Sequence, residues 1–392
     1  MEDAVIVSAV RTPIGTMGGA FVDVPAVQLG ALAVQEAMKR AGIEPDAVDE
    51  VLMGNVLQAG LGQNPARQVA KAGSVPDHIP SMTVNKVCGS GLKTVALAAQ
   101  AIRLGDAEVI VAGGMENMSR APYLMENGRY GYRLGHGQLV DVMIRDGLWC
   151  AFDDCHMGVT AENVATDYEV SREDQDAFAA ESQRKAGAAM SSGRFKDEIV
   201  AVPVQRKKET VLVDTDEHPR PQTTLDSLAA LRPAFNKEGS VTAGNASGIN
   251  DGAAAVVVMS ASRAKAEGRV PLARIRAAAS AGVAPRVMGM GPVPAARRAL
   301  ERAGLGIKDI GLLELNEAFA AQSVAVGREL AVQEDRLNVN GGAIALGHPI
   351  GASGTRILTT LLYEMGRRDV ELGMAAMCIG GGQGIAMVVE RV

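Results

Sequence analysis

Aromatic residues are scarce in this chain and make up only 3% of its 392 residues. Proteins that bind single-stranded nucleic acid stack the bases on aromatic side chains, so this scarcity argues against that function. An excess of positive charge is missing as well, since 39 Lys and Arg stand against 45 Asp and Glu. The net charge of −6 argues against a protein that binds the phosphate backbone, and we expect no nucleic-acid partner.

Long hydrophobic runs are also missing, because no apolar stretch reaches the roughly 18 residues of a membrane helix. The N-terminus MEDAVIVSAV resembles neither a signal peptide nor an Arg-rich transit peptide. Hydrophobic residues nevertheless make up 47% of the chain, which excludes disorder as the main state. We therefore expect a globular cytoplasmic protein with no membrane partner.

Cysteine occurs four times, at positions 88, 150, 155 and 378, and never as a CxxC pair. Four cysteines in a chain of this length do not form a disulfide scaffold. The group Cys150, Cys155 and His156 is similar to half a zinc site, but no second ligand pair follows at usable spacing. We therefore expect no metal.

An internal repeat is the strongest sign of domain organisation. Residues 28–55 predict an amphipathic helix, an Arg-Ala-Gly stop and a strand, and residues 293–316 predict the same three parts. Strands that alternate with helices of this length imply parallel sheets with helical crossovers. The alternative is a chance similarity between common βαβ patterns.

A polar, turn-rich surplus between the copies is interpreted as an insertion. We predict an α/β fold with two duplicated halves and an inserted, lid-like loop domain. The predicted boundaries are residues 1–118 plus 249–269 for the first half, 119–248 for the loop domain and 270–392 for the second half.

Two glycine-rich turns occupy matching places in the repeat. Cys88 stands in VCGSG, where a strand turns into a helix whose N–H groups and dipole are expected to lower the thiol pKa. His348 stands in GHPIGASG, where the following proline prevents a helix from continuing. If the halves pack about a twofold axis, His348 can activate Cys88. A buried core cysteine and a turn histidine without a role are the alternatives.

Two further residues close predicted strands. Cys378 precedes three glycines and suggests a proton-transfer group beside exposed amides, whereas Asn316 opens NEAF and suits the binding of a water or an oxyanion. An ordinary strand-end cap is the alternative for Asn316. Neither a phosphate-binding P-loop nor a dinucleotide GxGxxG motif is present.

Four features of the sequence resemble, in their order along the chain, the motifs of the thiolase family. They are Cys88, NEAF at 316–319, GHPIGASG at 347–354 and CIGGG at 378–382. The similarity covers essentially the whole chain, and HMGVTAENVA at 156–165 is similar to the biosynthetic short-chain branch. The resemblance implies a five-layered αβαβα fold and a reversible Claisen condensation of two acetyl-CoA into acetoacetyl-CoA and CoA. It also implies coenzyme A thioesters as substrates, no metal or redox cofactor, and a homotetramer.

The resemblance further implies a role for each site residue. Cys88 matches the acylated nucleophile, His348 its activator and Cys378 the acid and base at the α-carbon. One thioester oxygen is expected to be held by His348 and by a water bound to Asn316. The other is expected to be held by the backbone amides of Cys88 and Gly380. The expected substrate contacts are His156, Met157, Arg220, Ser247 and Phe319.

Three positions depart from the family pattern. Lys86 and Val87 stand where relatives more often carry Gln and Leu, and Gln383 replaces a commonly apolar residue. A broader-chain 3-ketoacyl-CoA thiolase and a decarboxylating ketoacyl synthase remain as alternatives, and Cys378 with NEAF disfavours the latter. An inert coenzyme A-binding scaffold and a nicotinamide oxidoreductase are more distant ones.

Overall fold

A computed structural model describes residues 2–392 of the protein. The strands are β1 Ala4–Arg11, β2 Gly15–Thr16, β3 Glu50–Gly54, β4 Ser81–Val84, β5 Val109–Asn117, β6 Tyr123–Leu124, β7 Val140–Asp141, β8 Trp149–Cys150, β9 Cys155–His156, β10 Val202–Arg206, β11 Glu209–Val213, β12 Asn250–Ser260, β13 Ala273–Gly282, β14 Leu312–Leu315, β15 Leu372–Ile379 and β16 Gln383–Glu390. The helices are α1 Ala26–Ala41, α2 Pro65–Ala72, α3 Ser90–Leu104, α4 Met157–Asp167, α5 Arg172–Ser191, α6 Leu225–Ala229, α7 Ala261–Ala266, α8 Pro292–Ala303, α9 Ala320–Leu330, α10 Ala343–Leu346 and α11 Ser353–Arg368.

Two similar sheets touch along a short stretch of one edge strand each, and elsewhere helices separate them. The first has the order β4-β3-β5-β12-β1 and the second the order β13-β16-β15-β14, and β2 pairs with the end of β12. The two sheets join where β1 pairs with β13, at Val5 with Arg274 and Ile6 with Ala273. Corresponding strands therefore stand at mirrored distances from this junction, as a pseudo-twofold axis requires.

The predicted helix, glycine stop and strand are present in both copies, whereas β4 of the first half has no counterpart strand in the second. Helix α1 ends at Gly42 and α8 ends at Gly304, and both glycines have positive φ angles of 63° and 70°. Each helix is followed by a strand that pairs in parallel with a later strand, β3 with β5 and β14 with β15. The glycine stops take this left-handed conformation at no steric cost, which explains why both copies carry one.

The expectation of parallel sheets is correct only in part. Parallel pairing links β3 with β4 and β5, and β14 with β15, whereas β12, β13 and β16 pair antiparallel with their neighbours. The last strand of each half does not enter through a helical crossover: β16 follows β15 after a turn of three glycines. A tight hairpin can only produce antiparallel pairing, and for that reason the sheets are mixed.

Five layers of structure result. Helices α1 and α2 cover the outer face of the first sheet, where Leu29 and Val34 pack with Val257. Helices α8 and α9 cover the outer face of the second sheet. Helices α3 and α11 lie between the sheets, where Leu92 and Ile357 share one buried cluster. The predicted αβαβα arrangement is therefore confirmed.

The insertion between β5 and β12 contains β6–β11 and α4–α6. Its longest helices are α4 and α5, and α5 begins with a capping box between Ser171 and Asp174. The three domain boundaries given above remain a prediction. Within residues 2–392, no helix is long and apolar enough to cross a membrane.

Candidate active site

The two glycine-rich turns meet at the N-termini of the central helices α3 and α11. The hydroxyl of Thr355 donates a hydrogen bond to the carbonyl of Gly91 at 2.9 Å. A Cβ atom on Gly91 would lie 3.0 Å from the carbonyl oxygen of Gly351, so glycine permits this approach. The turns that carry Cys88 and His348 therefore converge, as the repeat predicts.

The turn before Cys88 holds a strained residue. Val87 has a φ angle of 45°, which a β-branched side chain rarely adopts. The side chain of Asn85 accepts the Val87 N–H at 3.0 Å, and Ser90 Oγ donates to the Val87 carbonyl at 2.6 Å. Such strain persists only where the surrounding contacts enforce it, and it is typical of functional sites.

The thiol of Cys88 faces backbone N–H groups, but burial dominates its ionisation. Burial raises the pKa of Cys88 to about 11, the N–H groups of Gly380 and Cys88 itself act against this shift, and the charge of Glu116 adds to it. The expectation that the helix N-terminus lowers this pKa is therefore wrong for the free protein. The two backbone donors do not outweigh the loss of solvation.

The second sulfur lies beside the first. Cys378 is fully buried, and both this burial and the neighbouring Cys88 raise the pKa of its thiol above the usual range. Its Sγ donates to Oε1 of Gln322 at 3.7 Å. The turn that follows requires glycine, because Gly381 and Gly382 have φ angles of 83° and 85°. This turn presents the N–H of Gly380 to Cys88.

His348 is held in one tautomer by its own turn. Its Nδ1 lies 2.6 Å from Ser353 Oγ, and that hydroxyl donates its proton to the carbonyl of Pro349 at 2.9 Å. Nδ1 is therefore the protonated nitrogen, which leaves Nε2 with a free lone pair. Nε2 is buried without a protein partner, and burial lowers the pKa of the ring to about 3. An uncharged proton acceptor results.

Unpaired polar atoms mark the space around these groups. Asn316 is fully buried, its amide nitrogen lies 3.5 Å from His348 Nδ1, and its Oδ1 has no partner. Nε2 of His348 and Nε2 of Gln322 are likewise unpartnered. Buried polar atoms normally have a protein or water partner, so this group indicates a place for a polar ligand.

An apolar wall borders Cys378 on the loop-domain side. Met157, Phe319 and Cys378 belong to one buried cluster, and Met157 Sδ lies 3.3 Å from where a Cβ of Gly380 would stand. The ring of His156 stacks on Phe235 with centroids 4.7 Å apart, and its Nδ1 accepts the N–H of Gly158. Met157 and Phe319 thus lie in the cluster of the second sulfur, and His156 is joined to that cluster through Phe235.

Of the remaining two predicted substrate contacts, Ser247 lies near the site and Arg220 lies at the surface. Ser247 donates its N–H to the carbonyl of Ala318 at 3.0 Å, which places it against the NEAF turn. Arg220 is exposed, and its backbone N–H is held by Gln183 of α5. No described contact joins the Arg220 side chain to the group around the two sulfurs.

The sequence of this chain matches known family profiles over nearly its whole length. The profile described as thiolase, N-terminal domain, covers residues 4–262, and the profile described as thiolase, C-terminal domain, covers residues 269–391. The chain belongs to the thiolase family.

Individual thiolases are closely similar to it. The acetyl-CoA acetyltransferases of Pseudomonas aeruginosa and of Escherichia coli are each 60% identical over 392 residues, which is 100% of both chains in either case. The crystal structure of the Bacillus anthracis acetyl-CoA acetyltransferase superimposes with a TM-score of 0.98 at 46% identity and covers 100% of this chain and 99% of that one. Both the expected family and the expected fold are confirmed.

Sequence reasoning missed three residues that contact the thiolase site. Ser353 sets the His348 tautomer, Gln322 holds the Cys378 proton, and Glu116 accepts the N–H of Gly351 at 2.9 Å. Ser353 could have been predicted from the sequence, because it lies in the same glycine-rich motif as His348. No sequence motif pointed to Gln322 or Glu116, since the residues that they contact are distant in sequence.

Metal ligands do not cluster in this thiolase. Across residues 2–392, no group of three or more His, Cys, Asp and Glu side chains has an arrangement that could hold a metal ion. The polar groups at the site are instead thiols, amides and one imidazole.

Proposed function

We propose that this chain is an acetyl-CoA acetyltransferase, which reversibly condenses two acetyl-CoA into acetoacetyl-CoA and CoA. Its family membership and the names of its relatives support this activity. The observation that carries the proposal is the pairing of the two sulfurs: Cys88 faces the N–H of Gly380, and Cys378 lies beside it. One sulfur can hold an acyl group while the other moves a proton at the α-carbon of a second thioester bound beside it.

The first half-reaction transfers an acetyl group to Cys88. Nε2 of His348 takes the thiol proton as the sulfur attacks the thioester carbonyl, and the N–H groups of Cys88 and Gly380 donate to the oxygen that gains charge. The bond from carbon to the CoA sulfur then breaks, and Cys378 gives its proton to the departing CoA thiolate. His348 is left protonated and Cys378 ionised.

The second half-reaction forms the carbon–carbon bond. The Cys378 thiolate is a strong base because its pKa is raised, and it removes a proton from the α-carbon of a second acetyl-CoA. The protonated His348, together with a water held by Asn316, stabilises the enolate oxygen. The enolate carbon attacks the acetyl group, and Cys88 leaves as a thiolate that recovers its proton from His348.

The substrate arm is proposed to lie along the loop domain. Met157 and Phe319 supply an apolar wall beside Cys378, which suits a short acyl group, and His156 and Ser247 lie next to that wall. Arg220 is proposed for the adenine nucleotide on the strength of the family resemblance, and its exposure is compatible with a solvent-facing phosphate. No cofactor beyond the coenzyme A thioesters is called for by this chemistry.

The test separates the two half-reactions. Incubation with acetyl-CoA should acetylate the wild type and Cys378→Ala but not Cys88→Ala, as read by intact mass. Only the wild type should form acetoacetyl-CoA. Condensation by Cys378→Ala at the normal rate would show that Cys378 is not the base. A strict requirement for malonyl-CoA would show that the reaction is decarboxylating and would refute the proposal. Rates with longer 3-ketoacyl-CoAs then define the chain-length range.

A homotetramer is the proposed assembly. The segment 123–139 of the loop domain exposes apolar side chains, and Tyr130 and Leu134 are 90% and 99% exposed. Large exposed apolar side chains in one segment are typical of a contact surface. Sedimentation of the wild type and of a Tyr130→Ser, Leu134→Ser variant tests this, since a loss of the tetramer is expected in the variant alone.

A further inference from the structure

A pair of cysteines outside the proposed mechanism lies in the loop domain. Strands β8 and β9 form a short antiparallel hairpin in which Cys150 is directly opposite Cys155. Directly opposed residues in antiparallel strands have Cα atoms about 4.5–5.5 Å apart, and a disulfide needs about 4.4–6.8 Å. Both cysteines are free thiols in this structure. The backbone can therefore hold the pair in either the reduced or the oxidised state.

The two thiols also interact. A charge on Cys150 is among the causes, after burial, that raise the pKa of the Cys155 thiol, and the carboxylates of Asp153 and Asp154 act in the same direction. Cys150 is 1% exposed and donates to Asp153 at 3.6 Å, whereas Cys155 is partly exposed. A small oxidant in solution therefore reaches Cys155 first, and Cys150 stands behind it.

We propose that Cys150 and Cys155 form a reversible redox-modification site, which a hydroperoxide converts into a disulfide. The Cys155 thiolate attacks one peroxide oxygen, the O–O bond breaks, and one water leaves with a sulfenic acid on Cys155. Cys150 then attacks that sulfur, the S–S bond forms, the S–O bond breaks, and a second water leaves. Hydrogen peroxide is reduced to two waters, and the two thiols supply two electrons and two protons.

The hairpin connects this pair to the substrate wall. Cys150 belongs to the buried cluster that contains Met157 and Cys378, and His156 follows Cys155 directly. The turn between the strands carries Phe152, whose ring lies 3.2 Å from where a Cβ of Gly381 would stand. A disulfide would fix this turn over the glycine turn. Its effect on substrate affinity rests on the proposed function, whereas the formation of the bond does not.

The two site sulfurs differ in exposure, since Cys378 is fully buried and Cys88 is partly exposed, but both carry little thiolate. Burial raises the pKa of Cys88 to about 11 and that of the fully buried Cys378 beyond the usual range, so thiolate is scarce at both positions. Thiolate rather than thiol is the reactive form. Burial acts on the pKa of Cys155 as well, but this thiol is much less enclosed than Cys88 or Cys378.

Peptide mapping tests the bond itself. Wild type, Cys150→Ser and Cys155→Ser are treated with limiting hydrogen peroxide, alkylated, and cut before Asp153 and Asp154, which separates the two cysteines. The expected product is a peptide pair joined through Cys150 and Cys155 that dithiothreitol releases. Cys150→Ser should instead leave a sulfenic acid on Cys155 that dimedone traps. Full alkylation of both cysteines, while Cys88 or Cys378 is oxidised, would overturn the proposal.

Kinetics test the connection to the substrate wall separately. In the crosslinked wild type, the KM for acetoacetyl-CoA should rise about threefold, the scale of one lost contact, and return after dithiothreitol. Peroxide-treated Cys150→Ser should keep the KM of the untreated variant. An unchanged KM in fully crosslinked enzyme would refute the connection. If every variant lacks activity while the crosslink still forms, the proposed function fails and the redox site stands.

Discussion

The hydroxyl of Ser353 lies 2.6 Å from Nδ1 of His348 and donates a hydrogen bond to the carbonyl of Pro349. This order of donors decides which imidazole nitrogen is free. Because the hydroxyl has one proton, Nδ1 must supply the other hydrogen bond, and Nε2 becomes the acceptor. A residue five positions after the histidine thus defines the direction in which the base acts.

Removal of that hydroxyl is expected to lower kcat. In Ser353→Ala, both tautomers of His348 become accessible, so kcat should fall about tenfold, equivalent to about 1.4 kcal/mol, with little change in KM. Steady-state thiolysis of acetoacetyl-CoA measures this. Thr359→Ala is the matched control, because Thr359 is a buried hydroxyl that bonds to a carbonyl one turn earlier in the same helix. An equal loss in both variants would indicate a packing effect.

The buried imidazole is expected to make stability depend on pH. Burial, assisted by the charge of Arg356, lowers the pKa of His348 from 6.5 to about 3. Between these values the unfolded chain binds a proton that the folded chain does not, so stability is complete above pH 6.5 and is lost on acidification. At pH 4.5 the loss from this group should reach about 3 kcal/mol.

His348→Asn removes this titration. Urea unfolding at pH 7 and pH 4.5 should therefore show a larger loss of stability for the wild type than for the variant. Other titrating groups are common to both proteins and cancel in the comparison. Identical pH dependence in the two proteins would mean that His348 titrates normally in the fold.

Gln322 is expected to affect condensation more than acylation. Its Oε1 accepts the Cys378 thiol proton at 3.7 Å, and Gln322→Leu removes this acceptor. Condensation should slow about tenfold through misplacement of the proton-transfer group, whereas acetylation of Cys88 should slow less, because a CoA thiolate can also leave without a proton. Rapid-quench acetylation and steady-state condensation distinguish the steps. The control is Ser323→Ala, whose hydroxyl bonds only to the Phe319 carbonyl among the described residues.

Lys86 and Gln383, two departures from the family pattern, are bonded to each other. The Nζ of Lys86 donates to Oε1 of Gln383 at 2.5 Å, across the boundary between the two halves. A double-mutant cycle with Lys86→Ala and Gln383→Ala should give a coupling energy of about 0.5–1 kcal/mol, because the pair is half-buried. Additive effects on the free energy of unfolding would show that the bond contributes nothing.

Much of the fold was predictable because it is encoded twice. The helix, glycine stop and strand of residues 28–55 recur at 293–316, and a repeat of this kind fixes both topology and symmetry. The glycine-rich turns likewise predicted that Cys88 and His348 converge. Direction of pairing was not predictable for β12, because a strand that returns from a long insertion leaves no crossover signature.

The electrostatics of the site could not be predicted from local sequence. A cysteine at a helix N-terminus suggests a lowered pKa, but the value is set by how completely the two halves and the loop domain enclose the sulfur. The roles of Phe235, which stacks on His156, and of Gln322 could not be predicted from the sequence either. Their roles arise from contacts between elements far apart in the chain.

Strand β12 has a consequence for how the protein is made. It pairs with both β1 and β5, in the interior of the first sheet, yet the ribosome delivers it only after the entire insertion. The first half therefore emerges with an open gap between two strand edges, and such edges invite pairing with other nascent chains. The second half closes itself through a hairpin. The first half thus keeps two strand edges unpaired for the length of the whole insertion, whereas β16 follows β15 after three residues.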